Sequence, residues 1–342
     1  MSDNQNFEKI IKKEKRKKWI KTALISGMMT VLIGGSVTLL TRNIIGKQMQ
    51  KQADQQIEQF NIEDLIYSPN IISTSQHYSL TAMTRSTLSS DREKNVDGYH
   101  VAYPEKSVSF NLSGREGGND ISPNIYTSEN TKNVNIMATN RKTQQKEPIF
   151  FNRAYPKWYD KQQKKSKLLT PIKPTHEAST LNDLPNTLGE IAITFDKRYK
   201  YDDILKMIPK NVMINYYWLG LHTPRLDTLS GIDAYIGLNA KDDGSGELVD
   251  KFSDELDSNQ YVGYQGLKKA LQSETNKGVI NDIDVAKDAQ KQLAPTLKTA
   301  KFAGVIVTGR TENLAKLDNL SYVYATNVGV TTPIMPYQKP IK

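Results

Sequence analysis

The chain has 342 residues, 37% of them hydrophobic and 24% charged, with a formal charge of +9, so it has the length for two ordinary domains and a composition that folds. Cysteine is absent, which excludes a disulfide framework, a thiolate metal site and a cysteine nucleophile. Between Met1 and Lys21 eight basic residues face three acidic ones, a net +5 that leaves +4 for the other 321 residues, too dilute for a phosphate-binding surface, so direct nucleic-acid binding is not expected.

Residues 1–21 form a short basic tail containing KKEKRKKWIK. The next stretch, 22–41, reads TALISGMMTVLIGGSVTLLT, twenty residues without a charge. As a helix it spans about 30 Å, the thickness of a bilayer's hydrocarbon core. Lys17, Lys18, Trp19 and Lys21 flank its front edge, where an indole and snorkelling ammonium groups suit the interface. Behind it stand Arg42, Lys47 and Lys51, fewer than in front. The positive-inside bias therefore predicts a single-pass anchor with the N-terminus cytoplasmic and the C-terminus extracellular. A cleaved secretory signal is the alternative, but LLTRNIIGKQ offers no clear small-x-small site and the apolar run is long for an h-region. Ser26, Thr30, Gly34 and Thr38 recur every four residues. They form a candidate helix-packing stripe for a homo-oligomer, although small residues are common in any membrane helix.

Residues 42–60, with IIGKQMQKQADQQIEQF, predict the helix continuing into a polar stalk. From Asn61 the texture turns to Ser, Thr, Asn and Tyr with period-2 apolar alternation, as in NIISTSQHYSL, GYHVAYP, KSVSFNL, NVNIMAT and EPIFFN. This predicts a strand-rich extracytoplasmic domain over 61–158. A linker is expected over 159–183, where DKQQKKSKLLTPIKPTHEAST combines a charge run with Pro171 and Pro174. An α+β domain on one mixed sheet follows over 184–333, then a tail, 334–342. Its predicted strands are GEIAITF, NVMINYYWLGL, DAYIGL, FAGVIVTG and SYVYATNVGV. Its predicted helices are YKYDDILKMIP, stopped by Pro209, then GLKKALQSETN, DVAKDAQKQLAPTLKT, interrupted by Pro295, and RTENLAKL.

No chemistry is concentrated in any motif, so neither catalytic nor cofactor nor metal residues are expected. His77, His100, His176 and His222 are scattered without a second His three to five residues away. His176–Glu177 starts a zincin-like string, but Ala178, Ser179 and Thr180 follow it in the expected linker. Asp242, Asp243 and Glu247 in KDDGSGELVD fit no calcium-loop register, and a polar turn is expected there. GREGGND, starting at Gly114, lacks the Lys-Ser/Thr of a phosphate loop and reads as a hairpin loop. No serine sits in a G-x-S-x-G elbow or has Lys three residues on. A dispersed triad stays open, because its members need not be close in the chain. LPNTL, from Leu184 to Leu188, is similar to a sortase signal but carries Leu where glycine is required.

LGEIAITFDKRYKYDDILKMIPKNVMINYYWL and the closing FAGVIVTGRTENLAKLDNLSYVYATNVGV resemble the two ends of the C-terminal domain of Gram-positive membrane-bound anti-sigma factors, the sigma-factor-regulator family. KKEKRKKWIK, one span, IYSPNI and GYHVAYP are similar to that family's N-terminal region. The resemblance implies a regulator that holds an extracytoplasmic-function sigma factor at the membrane until envelope stress is sensed outside, together with a small membrane partner protein. A basic tail of about 21 residues is too short for a core of its own, so it would fold on binding an acidic partner, or else only set topology. A non-catalytic surface scaffold without sigma-factor contact is the alternative.

Overall fold

A computed structural model describes residues 2–118, 125–129, 136–140, 143–153, 161, 173–221, 236–248, 263–277 and 283–342. The chain opens with α1 (Ser2–Tyr67), which contains no proline and stops before Pro69. An antiparallel meander follows, made of β1 (Ile72–Ala82), β2 (Arg85–Val96), β3 (Tyr99–Asn111) and β4 (Gly114–Gly118) in that spatial order. Asp97 and Gly98 join β2 to β3 with φ of 56° and 87°, the left-handed pair that a two-residue hairpin turn of matching twist requires. GREGG is thus strand rather than loop. The reversal comes earlier, where Asn111 Oδ1 accepts from the backbone of Ser113 at 2.7 Å and Gly114 at 3.2 Å.

The helix does not end at residue 60 but runs to Tyr67, and the second part of the stalk expected over 42–60 packs against the rest of the chain. Met49, Ala53, Gln56, Phe60, Glu63 and Tyr67 are all buried, at alternating steps of four and three that keep one helical stripe turned inward. Met49, Ala53 and Phe60 meet Leu88, Val108 and Phe110 of the meander. A smaller sheet, β5 (Ile125–Glu129), β6 (Ile136–Asn140) and β7 (Lys146–Glu147), comes next.

The larger sheet has the order β10-β9-β11-β8-β12, from β8 (Thr187–Lys200), β9 (Met213–Trp218), β10 (Gly237–Asn239), β11 (Lys301–Arg310) and β12 (Val323–Pro333). Its ladders are antiparallel, and the mixed character expected of it is confined to one parallel bridge, His176 to Thr326. Its helices are α2 (Tyr201–Met207), α3 (Gly263–Lys277), α4 (Ile283–Gln292) and the single turn α5 (Thr311–Leu314). On one face Ile193, Tyr217, Val305 and Val307 pack with Tyr264, Leu267 and Leu271 of α3 and with Ile62 and Ile66 of α1. On the other, Ala192, Tyr216, Trp218 and Ile306 meet Phe150 and Phe151. Both faces are covered, which is why every residue of β9 is buried and its apolar run does not alternate.

The described end of the expected linker belongs to this body. Ala178 and Leu181 are buried, and Thr175 exchanges backbone and hydroxyl bonds with Thr326 at 2.8 and 2.7 Å. The β12 edge would otherwise present unpaired backbone groups. Residues 154–160 and 162–172, with most of the charge run and Pro171, lie outside the described residues.

The expected tail is docked as well. Ile341 N donates to Asp97 O at 3.1 Å, Lys342 N to Asp97 Oδ1 at 2.9 Å, and Tyr99 Oη to Gln338 O at 2.6 Å. Burial pushes the Asp97 carboxyl up to about 6, against the Lys342 amide and ammonium that favour its charge. A carboxyl with a raised folded pKa holds its proton more tightly folded than unfolded. Stability therefore falls as pH rises from about 4 to 6, by about 1 kcal/mol once solvent screening is counted. Asp97→Asn is expected to remove that slope while suiting the left-handed backbone. Urea unfolding of the full chain in detergent at pH 5 and 7.5 reads it, and an undiminished pH effect in the variant would refute the assignment.

Candidate functional site

The molecule's candidate functional site is a joint rather than a cleft. α1 has 66 residues and runs about 100 Å without a break. It is the one described helix long and apolar enough to cross a membrane. All nine residues singled out for the membrane lie on it, and each is exposed. At the front edge Lys17 pairs with Glu14 at 3.0 Å and Thr22 Oγ1 donates to Lys18 O at 2.9 Å, while Trp19, Lys21 and, behind the span, Arg42 lie on the helix surface. Along the stripe, Thr30 Oγ1 donates to Ser26 O at 2.9 Å and Thr38 Oγ1 to Gly34 O at 2.6 Å. The hydroxyls are satisfied by their own helix, which leaves the stripe smooth, with open space around Gly34.

Beyond the span two grips hold α1. The first is Lys106 of β3, only 1% exposed. Its ammonium lies 3.1 Å from Glu63, 2.7 Å from Asp64 and 4.3 Å from the centre of the Phe60 ring. Arg115 of β4 reaches the other Glu63 oxygen at 3.6 Å. A lysine can be buried so completely only because two carboxylates and an aromatic face replace its water. The second grip is apolar: Ile62 and Ile66 enter the core of the larger sheet.

Where α1 ends, strands of all three sheets meet around a buried polar network. Lys94 of β2 bonds Glu147 at 2.7 Å and Glu190 of β8 at 2.9 Å, with side-chain exposures of 3%, 7% and 0%. Burial pulls the Lys94 ammonium down, but the two carboxylates outweigh it and hold its pKa above the ordinary lysine value. Asn70, in a left-handed conformation three residues past the helix, donates to Glu190 at 2.7 Å and to Asn95 O at 3.1 Å. Asn239 of β10 accepts from Asn70 N at 2.8 Å and donates to Ser68 O at 2.9 Å. Asn215 of β9 donates to Asn95 O at 3.0 Å and accepts from Thr308 of β11 at 2.8 Å, and Thr308 accepts in turn from Asp97 N at 2.9 Å. The end of α1, the meander, Glu147 of the smaller sheet and four strands of the larger sheet are thus bonded to one another. Such a network, satisfied, holds one arrangement, and losing one member exposes the others.

The family models meet at this joint. Sigma factor regulator N-terminal matches residues 8–101 and sigma factor regulator C-terminal matches residues 181–330. The chain belongs to the sigma factor regulator family. Searches of curated proteins and of solved structures find no match. Family membership supports an anti-sigma-factor-like role, and such regulator families are generally non-enzymatic. In this sigma factor regulator, Asn70, Lys94 and Asn95 lie in the N-terminal match and Glu190, Asn215, Asn239 and Thr308 in the C-terminal one. The junction therefore joins the two family regions, with Glu147 contributed by the stretch between them.

The histidines and the acidic residues of the 241–248 turn are dispersed. His77 is exposed on β1, His100 lies by Glu93, and His176 bonds Asp318 at 3.0 Å. His222 lies outside the described residues. Asp242 contacts Asn95, Asp243 accepts from Ser245 N at 2.8 Å, and Glu247 pairs with Lys241 at 2.7 Å, so this stretch is a polar turn. Among the described residues no three His, Asp or Glu side chains gather to hold a metal. None of the joint residues stood out in the sequence. The available signal was a charge inside an apolar strand, Glu190 in LGEIAITF, which has no reason to be buried unless a cation meets it.

Proposed function

We propose that the chain is a single-pass, non-catalytic regulator that holds an extracytoplasmic-function sigma factor at the inner membrane surface, with a small membrane partner protein, and responds to envelope stress or a surface ligand. The observation that carries this reading is the unbroken α1, which joins the basic residues before the apolar span to Ile66 in a buried core beyond it. The excess of lysine in front of the span supports a cytoplasmic N-terminus and an extracellular bulk. A helix seized in two cores cannot turn or shift without the outer portion changing, so a change outside is carried inward. The basic segment offers attraction to an acidic partner. The Ser26, Thr30, Gly34 and Thr38 stripe offers a close-packing face to another membrane helix, whether the small partner's or a second copy's.

Transcript profiling tests the reading. Deleting the gene is expected to change one sigma-dependent transcript set. Inserting two residues after Asn43 turns the inner half of α1 by about 200° and is expected to upset that set's response to wall-acting antibiotics. Inserting seven returns the face to within about 20° and is expected to restore the response. No transcript change on deletion would leave the protein a surface scaffold.

A further inference from the structure

We propose that a pocket at one end of the larger sheet binds a small amphipathic anion, an apolar ring or branch bearing one carboxylate. The pocket measures about 200 Å³ and lies on the face opposite the helices, with Phe151, Trp218 and Ala303 as its apolar wall and Arg153, Lys197 and Arg198 around it.

Two backbone devices shape it. The β11 ladder to β8 slips between Phe302 and Gly304, a bulge that places Ala303 out of register. Gly220, just past β9, has a φ of +56°, and a Cβ there would collide with Ala303. Glycine is required by both the backbone angle and the close approach. The Trp218 indole is held in place by Phe150, stacked at 4.6 Å with a 10° interplanar angle. The wall is thus rigid before any ligand arrives, which lowers the entropy lost on binding.

The charges select the ligand. Among the described residues, three cationic side chains line the pocket and no carboxylate does. Among the described residues none of the three is in an ion pair; Lys197 lies 5.3 Å from the Tyr199 ring and Arg153 5.5 Å from the Tyr324 ring. Arg198 donates to Gly220 O, which engages one of a guanidinium's five donors. Arginine forks match a carboxylate in two-point geometry. The volume is below the roughly 300–1,000 Å³ of sites for drug-sized ligands, so one ring with a short acidic arm fills it. This binding site stands whether or not the sigma factor is the inner partner.

The test is calorimetric titration of the full chain in neutral detergent with phenylacetate, phenylacetamide and phenethylammonium. Phenylacetate is expected to bind at least about tenfold more tightly than the amide, a difference of one charge-assisted contact or more, and the ammonium not to saturate. Arg153→Gln with Lys197→Gln, both exposed and free of fold-bearing bonds in the core, is expected to weaken phenylacetate about tenfold with an unchanged urea midpoint. Ala303→Leu is expected to abolish binding by filling the cavity. Equal affinity for acid and amide, no saturable phenylacetate binding, or full binding in the charge variant would overturn the proposal.

Discussion

Replacing Lys94 by Met is expected to destabilise the fold by about 3–5 kcal/mol, the largest loss for any single change at the joint. Glu147 and Glu190 both reach the one ammonium, at 2.7 and 2.9 Å, and both are almost fully buried. Without it, two buried carboxylates share a site with no ammonium between them, and among the described residues the amides of Asn70 and Asn140 and the Val330 N–H donate to them. The Tyr103 ring beneath Lys94, 5.5 Å away, offers no positive charge, and burial pushes its own phenol well up.

The pH dependence separates this mechanism from simple loss of packing. In the parent chain the raised Lys94 pKa contributes stability that is complete below the ordinary lysine range and is lost only as pH rises through the folded value. In the variant the two carboxylates repel and take up a proton, so their folded pKa rises. Stability should then fall steadily above the ordinary glutamate range, near pH 4.3. Urea unfolding in detergent at pH 5 and 8 measures both effects. Glu147→Gln and Glu190→Gln added to Lys94→Met should recover much of the loss, because a neutral buried set no longer carries unpaired charge. A Lys94→Met loss under about 1 kcal/mol, independent of pH, would show that water already screens the pair.

Ile62→Ala combined with Ile66→Ala is expected to cost about 4 kcal/mol or more, since each removes a buried branched side chain worth about 2–5 kcal/mol, and the two are neighbours whose effects need not add. Ile62 is 1% and Ile66 0% exposed, and both sit in the core that includes Tyr264 and Leu267. The Lys106 and Phe60 grip is untouched by this change. The end of α1 should therefore loosen from the larger sheet while staying fixed to the meander. Hydrogen exchange is the measurement: amides of 62–71 should lose protection while those of 49–60 keep theirs. Equal loss in both segments would mean that the two grips melt as one unit.

The apolar span was legible because it is a property of twenty adjacent residues and needs no partner to be recognised. The elements of the larger sheet were legible for a similar reason. LGEIAITF, NVMINYYW and FAGVIVTG are continuous β-branched and aromatic runs, and Pro209 ends α2 where it stands. The stalk misled because its polar run hides a buried stripe that includes Gln56 and continues past residue 60 to Glu63, which reads as solvent-facing until Lys106 is known to lie against it. The linker misled because Thr175 and Ala178 carry no periodic signal, and their order comes from the β12 edge 151 and 148 positions away.

By itself, the sequence determined the long apolar helix that could span a membrane, its basic front, the strand and helix order of the larger sheet, and the family. Those follow from local patterning, where each residue's preference depends on its immediate neighbours. Only the tertiary structure decided that the helix continues into two cores and that charges 96 positions apart, Lys94 and Glu190, meet in a buried site. The reason is physical: whether a charge is buried depends on what surrounds it in space, and the surroundings come from chain segments that sequence proximity does not pair.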